Sequence, residues 1–462
     1  MLNSSPDNYA IHPWLARLAL VYGLIGCVML SLAMPPFQNP DEPNHFRRAE
    51  QVGGGHLLAE RHSEILGGPV SPGIMTTADL FDPLRFHPNR HVTPEMTVKA
   101  ASIGWGDPKV LTHFPNSAIY PAPFYLPAAA GVLVGKALAL SVATTLNLAR
   151  MLTGICCVLL SAWGIRMAAQ SSQPNAAIWL FTLTTLPMTM ALQNAASQDG
   201  LLNASMLVAV ALILRLDGGT RDAMRFWSAV LLLGLITMAR PPYAPLFVVP
   251  LAMPFQSSVR RMTGAALIVV LCLVWTQIAD PAHVITGQSA GADVLAQRQV
   301  ILDPLWDVML VLRTLRTHAV FYFDSFVGLL GWLDTSLPRS FYRLAGLILA
   351  ISLWLSTGRS RHDMVWRQAA IPLAMAGCVV LVFLSIYLTF STVRSPTIDG
   401  VQGRYFIPVL MLLSCFASPG GLSGKFSGIA GWAVMLFPAL SLAVTLRSVL
   451  MRYHAVLSVT SY

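Results

Sequence analysis

The chain has 462 residues, of which 55% are hydrophobic and only 11% are charged, and its formal net charge is +9. A soluble domain usually contains about 25% charged residues, so this composition leaves too few charges to cover a surface in water. The positive charge is dispersed and forms no basic stripe, which argues against nucleic-acid binding. The sequence therefore predicts an integral membrane protein with several spans, surrounded by the lipid bilayer.

Twelve apolar segments approach the length of about 20 residues that crosses a bilayer. The first is interpreted as a retained helix, because no small-residue cleavage pattern follows it. Their approximate bounds are 14–33, 120–141, 147–168, 175–193, 200–216, 226–239, 242–256, 262–279, 341–357, 367–390, 405–422 and 428–447.

The basic residues of the short loops indicate a topology. Two apolar segments separate each of these basic loops from the next, so all of them belong on one side, and the positive-inside rule makes that side the cytoplasm. The loops contain Arg166, then Arg215, Arg221 and Arg225, then Arg260 and Arg261, then Arg359, Arg361 and Arg367, and finally Lys425.

Segment 120–141 breaks this parity if it spans the membrane. It begins with Tyr120-Pro-Ala-Pro and carries Tyr125 and Lys136, a composition that suits a juxtamembrane or re-entrant helix. The preferred solution is that it does not cross. In the alternative it spans, and the N-terminus lies outside.

The predicted fold is an all-α polytopic membrane protein with about eleven spans (10 to 13). Residues 1–462 form a single integral membrane domain. The preferred topology places the N-terminus inside and leaves two large external segments, 34–119 and 280–340.

The first external segment begins with an acidic pair, Asp41 and Glu42, held between Pro40 and Pro43. Such a pair can accept a proton from a hydroxyl nucleophile, so both are candidate catalytic residues. It can also bind a divalent cation such as Mg²⁺ or Mn²⁺, although no firm metal site is predicted. The structural alternative is a helix N-cap followed by a solvated turn. His45 follows as a candidate substrate-binding residue, but the histidines of this segment lack the spacing of a helical zinc motif.

Two further short loops contribute candidate substrate-binding residues on the predicted outer side. Asp199 begins an apolar segment and either caps that helix or points into the same cavity as Asp41. Arg240 precedes Tyr243 and violates the charge bias of the other short loops, so it is a functional candidate that suits bidentate phosphate binding. The alternative for Arg240 is an ion pair with Asp199 or Asp41.

The last candidates flank the later apolar segments. Asp334, or Asp324 before it, is a candidate for lining a sugar pocket, while the aromatic residues around them suit an interfacial anchor. Gln402, Arg404 and Tyr405 lie in a glycine-containing run at a predicted membrane boundary. Arg404 can bind phosphate there, or extend toward lipid headgroups.

Several common chemistries are disfavoured. The sequence contains no P-loop and no dinucleotide-binding fingerprint after a strand. All six cysteines fall in apolar stretches without ligand spacing, so we expect buried, inert thiols.

Six motifs in a fixed order carry a resemblance to a known family. They are PPFQNPDEPNHFRRA, YPAPFYLPAAAG, SQDGLLNA, ARPPYAPL, GWLDTSLP and GVQGRYFIP. With them the chain, from about residue 15 to 447, resembles predicted bacterial membrane proteins catalogued as a domain of unknown function, DUF2142. That family in turn resembles the GT-C glycosyltransferases, multi-span enzymes that use polyprenyl-phosphate-linked sugars on the outer face of the membrane.

The second resemblance implies a function. GT-C enzymes have an acidic residue early in the first external loop, which matches Asp41 or Glu42, and often a second one in the next external loop, which corresponds to Asp199. They also have periplasmic juxtamembrane helices after the first span, as expected for 120–141. No DxD motif occurs in the second external loop, which disfavours a tightly bound metal.

The expected activity is the transfer of a sugar from a polyprenyl-phosphate donor to a cell-envelope glycan or a lipid-linked acceptor. It would take place on the outer face of the cytoplasmic membrane. The alternatives are a polymerase or ligase acting on lipid-linked saccharides, and a transporter or flippase for them. A transporter is expected to place ionisable residues near the bilayer midplane and to show repeats.

Overall fold

The structure is a computed structural model of the chain, and it describes residues 12–62, 65–279, 293–300, 304–357, 365–416 and 425–455. Helices dominate these residues, as the sequence predicts. The first helix, α1 (His12–Ala33), is followed by a subdomain that contains a small sheet. The prediction contained no strand.

The subdomain fills the first predicted external segment. Its helices are α2 (Glu42–Gly53), α3 (Pro72–Phe81), α4 (Pro94–Ser102) and α5 (Pro115–Ala118). Its strands are β1 (Glu60–His62), β2 (Ile65–Val70) and β3 (Val110–His113), which form an antiparallel sheet in the order β1-β2-β3. The register pairs Gly67 with Glu60 on one side and with His113 on the other. The strands are too short, and β2 too rich in glycine and proline, for a clear alternating pattern.

The remaining helices form the bundle. They are α6 (Leu126–Ala137), α7 (Val142–Ala169), α8 (Ala176–Thr184), α9 (Pro187–Gln193), α10 (Gln198–Leu214), α11 (Asp222–Ala239), α12 (Ser258–Ala279), α13 (Val294–Val300), α14 (Pro304–Val327), α15 (Arg339–Ser356), α16 (Val365–Phe390), α17 (Ile407–Met411) and α18 (Lys425–His454). The 3-10 helix Pro241–Ala252 follows α11, and the 3-10 helix Gly403–Phe406 precedes α17.

Six helices of the described part are long and apolar enough to cross a membrane. They are Pro13–Ala33, Val142–Ala169, Asp222–Ala239, Ser258–Ala279, Ala369–Phe390 and Gly428–His454. A seventh span would combine α8 and α9, which bend by 69° at their junction before Pro187. Three shorter apolar helices, Gln198–Leu214, Pro241–Ala252 and Gly403–Phe416, fall below the usual spanning length. The structure thus confirms a helical chain with several spans, while the count of about eleven stays a prediction.

Contacts between loops define the two ends of the bundle. At one end, Arg215 donates to Gln170 Oε1 at 3.3 Å, and Gly218 packs near Phe255, so the predicted cytoplasmic loops after α7 and α10 and before α12 meet. At the other end, the loops after α1 and α11 meet the residues just before α17 and the beginning of α10, through the pairs of Asp41 with Arg404 and of Arg240 with Asp199. We call this the polar end, and it carries most of the candidate site residues.

Segment 120–141 contains one short α-helix, α6 (Leu126–Ala137). α6 covers 12 residues, about 18 Å at 1.5 Å per residue, and the bilayer core is about 30 Å thick. Both ends of the segment contact the first subdomain, since the Tyr120 carbonyl accepts from Arg48 and the Leu140 carbonyl accepts from Trp105. This geometry favours the non-spanning solution, whose position in a bilayer stays a prediction. The second predicted external segment, 280–340, contains the 24-residue helix α14 and residues 280–292 and 301–303, which lie outside the described part.

Candidate functional site

Asp41 lies in the turn between α1 and α2 with a left-handed backbone, φ 59° and ψ 4°. Aspartate tolerates this conformation better than most residues. The Asp41 carbonyl accepts the backbone N–H groups of Asn44 and His45, which starts α2. Its carboxylate makes no capping hydrogen bond and is 43% exposed. Asp41 therefore occupies the N-cap position with its backbone, and its side chain is left for other contacts.

Arg404 faces this carboxylate across 3.6 Å, and its side chain is 5% exposed. It does not extend toward lipid headgroups. Gly403 permits this placement, because a β-carbon there would lie 1.9 Å from the Tyr322 carbonyl oxygen, and its N–H donates to Ser325 Oγ at 2.8 Å. Among the described residues, Arg404 Nε has no acceptor and Gln402 Oε1 has no donor. One buried donor and one buried acceptor at this site are thus left unused.

Arg240 pairs with Asp199 at 2.6 Å, as the alternative interpretation of Arg240 anticipated. Its guanidinium lies 4.6 Å from the ring centre of Tyr405, and that of Arg404 lies 5.5 Å from the same ring. Tyr243 is buried and donates its hydroxyl to the Tyr405 carbonyl at 2.6 Å, so it holds Tyr405 in place. Two cations therefore share one aromatic ring at the polar end.

His45 is buried beside these charges. Its Nδ1 lies 2.6 Å from the Tyr125 hydroxyl, and its ring stacks on Tyr120 at a centroid distance of 6.0 Å. Burial lowers the pKa of His45, while the nearby Asp199 and Asp41 carboxylates act in the opposite direction. Burial also raises the pKa of Tyr120 to about 12. The histidine and the tyrosine are thus neutral at pH 7.

The lowered pKa of His45 predicts a loss of stability in acid. Below the ordinary value of 6.5, the unfolded chain takes up a proton that the folded chain does not. The contribution of His45 to the free energy of unfolding is therefore complete above that pH. Below it, this contribution falls by at most about 1.4 kcal/mol per pH unit. We expect the thermal midpoint of purified protein to fall less steeply from pH 7 to pH 5 in His45→Gln than in wild type. Parallel curves would contradict this role of His45.

Glu42 points away from Asp41 into the interior. It forms a bidentate pair with Arg150 of α7, with N–O distances of 2.5 and 2.8 Å, and both side chains are fully buried. Glu42 also accepts from Asn39 at 3.0 Å and from the Ala196 N–H at 3.1 Å. Arg150 donates to the carbonyls of Met34 and Pro35 at the end of α1. These contacts give Glu42 a structural role, and the candidate catalytic function rests with Asp41.

The structure offers no shared cation site for the acidic pair. The Asp41 carboxylate faces Arg404, and the Glu42 carboxylate is used by Arg150. Within the described ranges, no group of three or more His, Cys, Asp or Glu residues could hold a metal ion. The geometry therefore does not fit Mg²⁺ or Mn²⁺ bound by Asp41 and Glu42.

Asp334 is held by residues other than those described above. Its carboxylate pairs with Arg452 of α18 at 2.7 Å, and both side chains are nearly buried. Arg452 also donates to the Leu84 carbonyl, which ties α18 to the first subdomain. Asp324 pairs with Arg339 at 2.5 Å. Both carboxylates are engaged in ion pairs within the chain, an arrangement that favours the structural interpretation of this loop over a sugar pocket.

The polar cluster therefore consists of Asp41, His45, Asp199, Arg240, Tyr243, Gln402, Arg404 and Tyr405. A cavity of about 10 Å³, lined by Asn39, Pro40 and Ser197, lies beside it and has room for about one water molecule. Substrate would have to approach Asp41 from its exposed side.

Sequence reasoning missed Arg150 and Tyr120. An arginine near the start of an apolar segment is unfavourable in a bilayer unless it is paired. The position of Arg150 in the sequence therefore indicated that it needs an acidic partner. Tyr120 had no such signal, because tyrosine is common at membrane interfaces.

Comparison with known proteins yields one assignment. No curated protein matches this sequence. The family model described as "Predicted membrane protein (DUF2142)" matches residues 24–413, which covers α1 from residue 24 onward, the first subdomain and the polar cluster. The resemblance of the six motifs to this family is thereby confirmed, while the further resemblance to the GT-C glycosyltransferases stays a prediction. The chain belongs to the DUF2142 family of predicted membrane proteins.

Proposed function

We propose that this protein is a GT-C-type glycosyltransferase of the cytoplasmic membrane, with about eleven spans. It moves a sugar from a polyprenyl-phosphate donor to a cell-envelope glycan or a lipid-linked acceptor on the extracytoplasmic face. The observation that carries the proposal is the contact of the half-exposed Asp41 carboxylate with Arg404, next to Arg240. A base and two cations at one end of a helical bundle suit transfer from a phosphate leaving group.

In the proposed reaction, the acidic and the basic residues of the cluster have different tasks. Asp41 takes the proton of the acceptor hydroxyl as its oxygen attacks the anomeric carbon. The bond between that carbon and the phosphate oxygen breaks, and polyprenyl phosphate leaves with the electron pair. Arg404, whose Nε has no acceptor among the described residues, and Arg240 stabilise the charge that develops on the phosphate. Asp199 holds Arg240 in position.

The location of the charges favours an enzyme over a transporter or flippase. Asp41, Asp199, Arg240 and Arg404 lie at helix ends or in the loops next to them. Arg150 lies inside a long helix, but it donates to carbonyls at the end of α1 and is neutralised by Glu42. A transporter is expected to carry ionisable residues near the midplane.

The test uses purified full-length protein in lipid nanodiscs with a labelled polyprenyl-phosphate sugar and a panel of glycan and lipid-linked acceptors. A glycosyltransferase forms a labelled product and releases polyprenyl phosphate in equal amounts. Growth of a long saccharide on a lipid pyrophosphate would support the polymerase or ligase alternative. Movement of intact donor across proteoliposome membranes without product would support the flippase.

Arg404→Gln is expected to lower kcat by about 10²- to 10³-fold, because it removes a cation that acts on the leaving phosphate. Arg404→Lys should recover part of this loss, since a point charge replaces the guanidinium fork. Initial rates at saturating donor measure the effect, and thermal melting of each variant checks the fold. An unchanged kcat in Arg404→Gln would contradict the assigned role.

A further inference from the structure

A second cationic site lies outside the polar cluster. A cavity of about 220 Å³ is located where the first subdomain meets the end of α12. Its lining includes the basic residues Arg48 and Arg61 and the apolar residues Leu58, Trp275 and Ile278. The proposed transferase reaction uses none of these side chains.

Arg48 is a fully buried cation that has no acidic partner within the described ranges. Its guanidinium donates to Gln51 Oε1 and the Leu57 carbonyl at 2.5 Å, and to the carbonyls of Tyr120 and His56 at 3.2 and 3.4 Å. Its Nε has no acceptor in the described residues. No carboxylate lies within ion-pair distance of it in that part of the chain. Burial lowers the pKa of Arg48 to about 10, so the side chain stays charged at neutral pH.

Arg150 provides the contrast within the same molecule. It is equally buried and has a carboxylate, Glu42, in bidentate contact. A buried charge is unfavourable unless an opposite charge compensates for it. Among the described residues, a carboxylate supplies that compensation for Arg150 and none does so for Arg48, which leaves the cavity beside Arg48 electrostatically suited to an anion.

The opposite wall of the cavity is apolar and belongs to a membrane-length helix. Trp275 lies near the end of α12 and donates its indole N–H to the Ile119 carbonyl at 3.0 Å. Ile278 and Leu58 are each about half exposed, 50% and 51%, and extend the apolar surface outward from the cavity. A ligand that fits both walls has a negatively charged head and an apolar chain.

We propose that this cavity binds the phosphate headgroup of a membrane lipid, with Arg48 and Arg61 contacting the phosphate and the hydrocarbon chain lying along α12. A lipid bound here would join the first subdomain to α12. This site is separate from the proposed reaction, and its occupancy does not require that reaction.

The experiment uses the full-length protein in phosphatidylcholine nanodiscs that contain a few per cent of photoactivatable phosphatidic acid. Peptide mass spectrometry locates and quantifies the crosslinks. We expect crosslinks to the peptide that carries Trp275 and Ile278. Arg61→Gln should reduce them at least about fivefold, because a charge-assisted contact is lost. Ile278→Trp should reduce them by filling the cavity.

Arg48→Gln should reduce them as well, but this change also removes four internal hydrogen bonds. Arg61 and Ile278 are exposed, so the Arg61→Gln and Ile278→Trp variants still test the proposal if Arg48→Gln does not fold. The matched control is Arg90→Gln, an exposed arginine of the same subdomain outside the cavity lining, which should crosslink like wild type.

Three outcomes would overturn the proposal. One is equal crosslinking with photoactivatable phosphatidylcholine, which shows that an anionic head is not selected. A second is unchanged crosslinking in both Arg61→Gln and Ile278→Trp. A third is complete displacement of the lipid by millimolar inorganic phosphate, which would assign the cavity to a free anion.

Discussion

Replacing Asp41 with asparagine is expected to reduce sugar transfer by about 10²- to 10⁴-fold, the contribution typical of a positioned general base. Asparagine tolerates the left-handed backbone that Asp41 adopts, so the turn into α2 should persist. The side chain is 43% exposed and pairs only loosely with Arg404, which keeps the effect on stability small. Release of labelled polyprenyl phosphate under single-turnover conditions measures the loss.

The matched control for this experiment is Asp82→Asn. Asp82 is an exposed aspartate of the same subdomain that pairs weakly with Arg85 at 3.7 Å. It should retain wild-type turnover. Full activity of Asp41→Asn, with a melting temperature equal to that of wild type, would exclude Asp41 as the base.

Breaking the pair of Glu42 and Arg150 is expected to cause the largest loss of stability, because one substitution leaves a fully buried charge without its partner. Glu42→Gln or Arg150→Met alone should destabilise the fold by about 3–5 kcal/mol. The double variant should recover much of that loss, since no net charge is then left in the interior. Thermal and denaturant unfolding of purified protein in detergent, followed by tryptophan fluorescence, measures the three variants.

The same variants distinguish a structural role of Glu42 from a catalytic one. If Glu42 were the base, Glu42→Gln with an intact fold would lose turnover as severely as Asp41→Asn. We expect the folded fraction of Glu42→Gln to retain most of its turnover. A double variant that is as unstable as the two single changes added together would contradict the proposed pairing.

The helical bundle was largely predictable because apolar length is a strong signal. The bounds of α1, α7 and α12 fall within about five residues of their predicted segments, in line with the usual uncertainty of such boundaries. The break at Pro187, within predicted segment 175–193, was not anticipated, although a proline inside an apolar run disfavours a continuous helix. The strands of the small sheet were not predictable, because they are too short to show an alternating pattern of apolar and polar residues.

The sequence indicated which residues form the candidate site, but not which ion pairs those residues make with one another. The positions of Asp199, Arg240 and Arg404 at helix ends indicated a common face, and the structure brings them together. The different roles of Asp41 and Glu42 depend on one positive φ angle, which directs adjacent carboxylates to different partners. No spacing rule shows such a choice, because both residues are acidic and lie between the same prolines.

The Glu42 and Arg150 pair also links the folding of the first subdomain to the insertion of α7. The two residues are 108 positions apart, so Arg150 emerges from the ribosome well after Glu42 and the first subdomain. An unpaired arginine is unfavourable inside a helix that enters the membrane, by about 2.5–3.5 kcal/mol at its centre. Lateral release of α7 from the translocon is therefore favoured once the subdomain has folded and presents Glu42. Early folding of this subdomain would then assist the insertion of the helix that follows it.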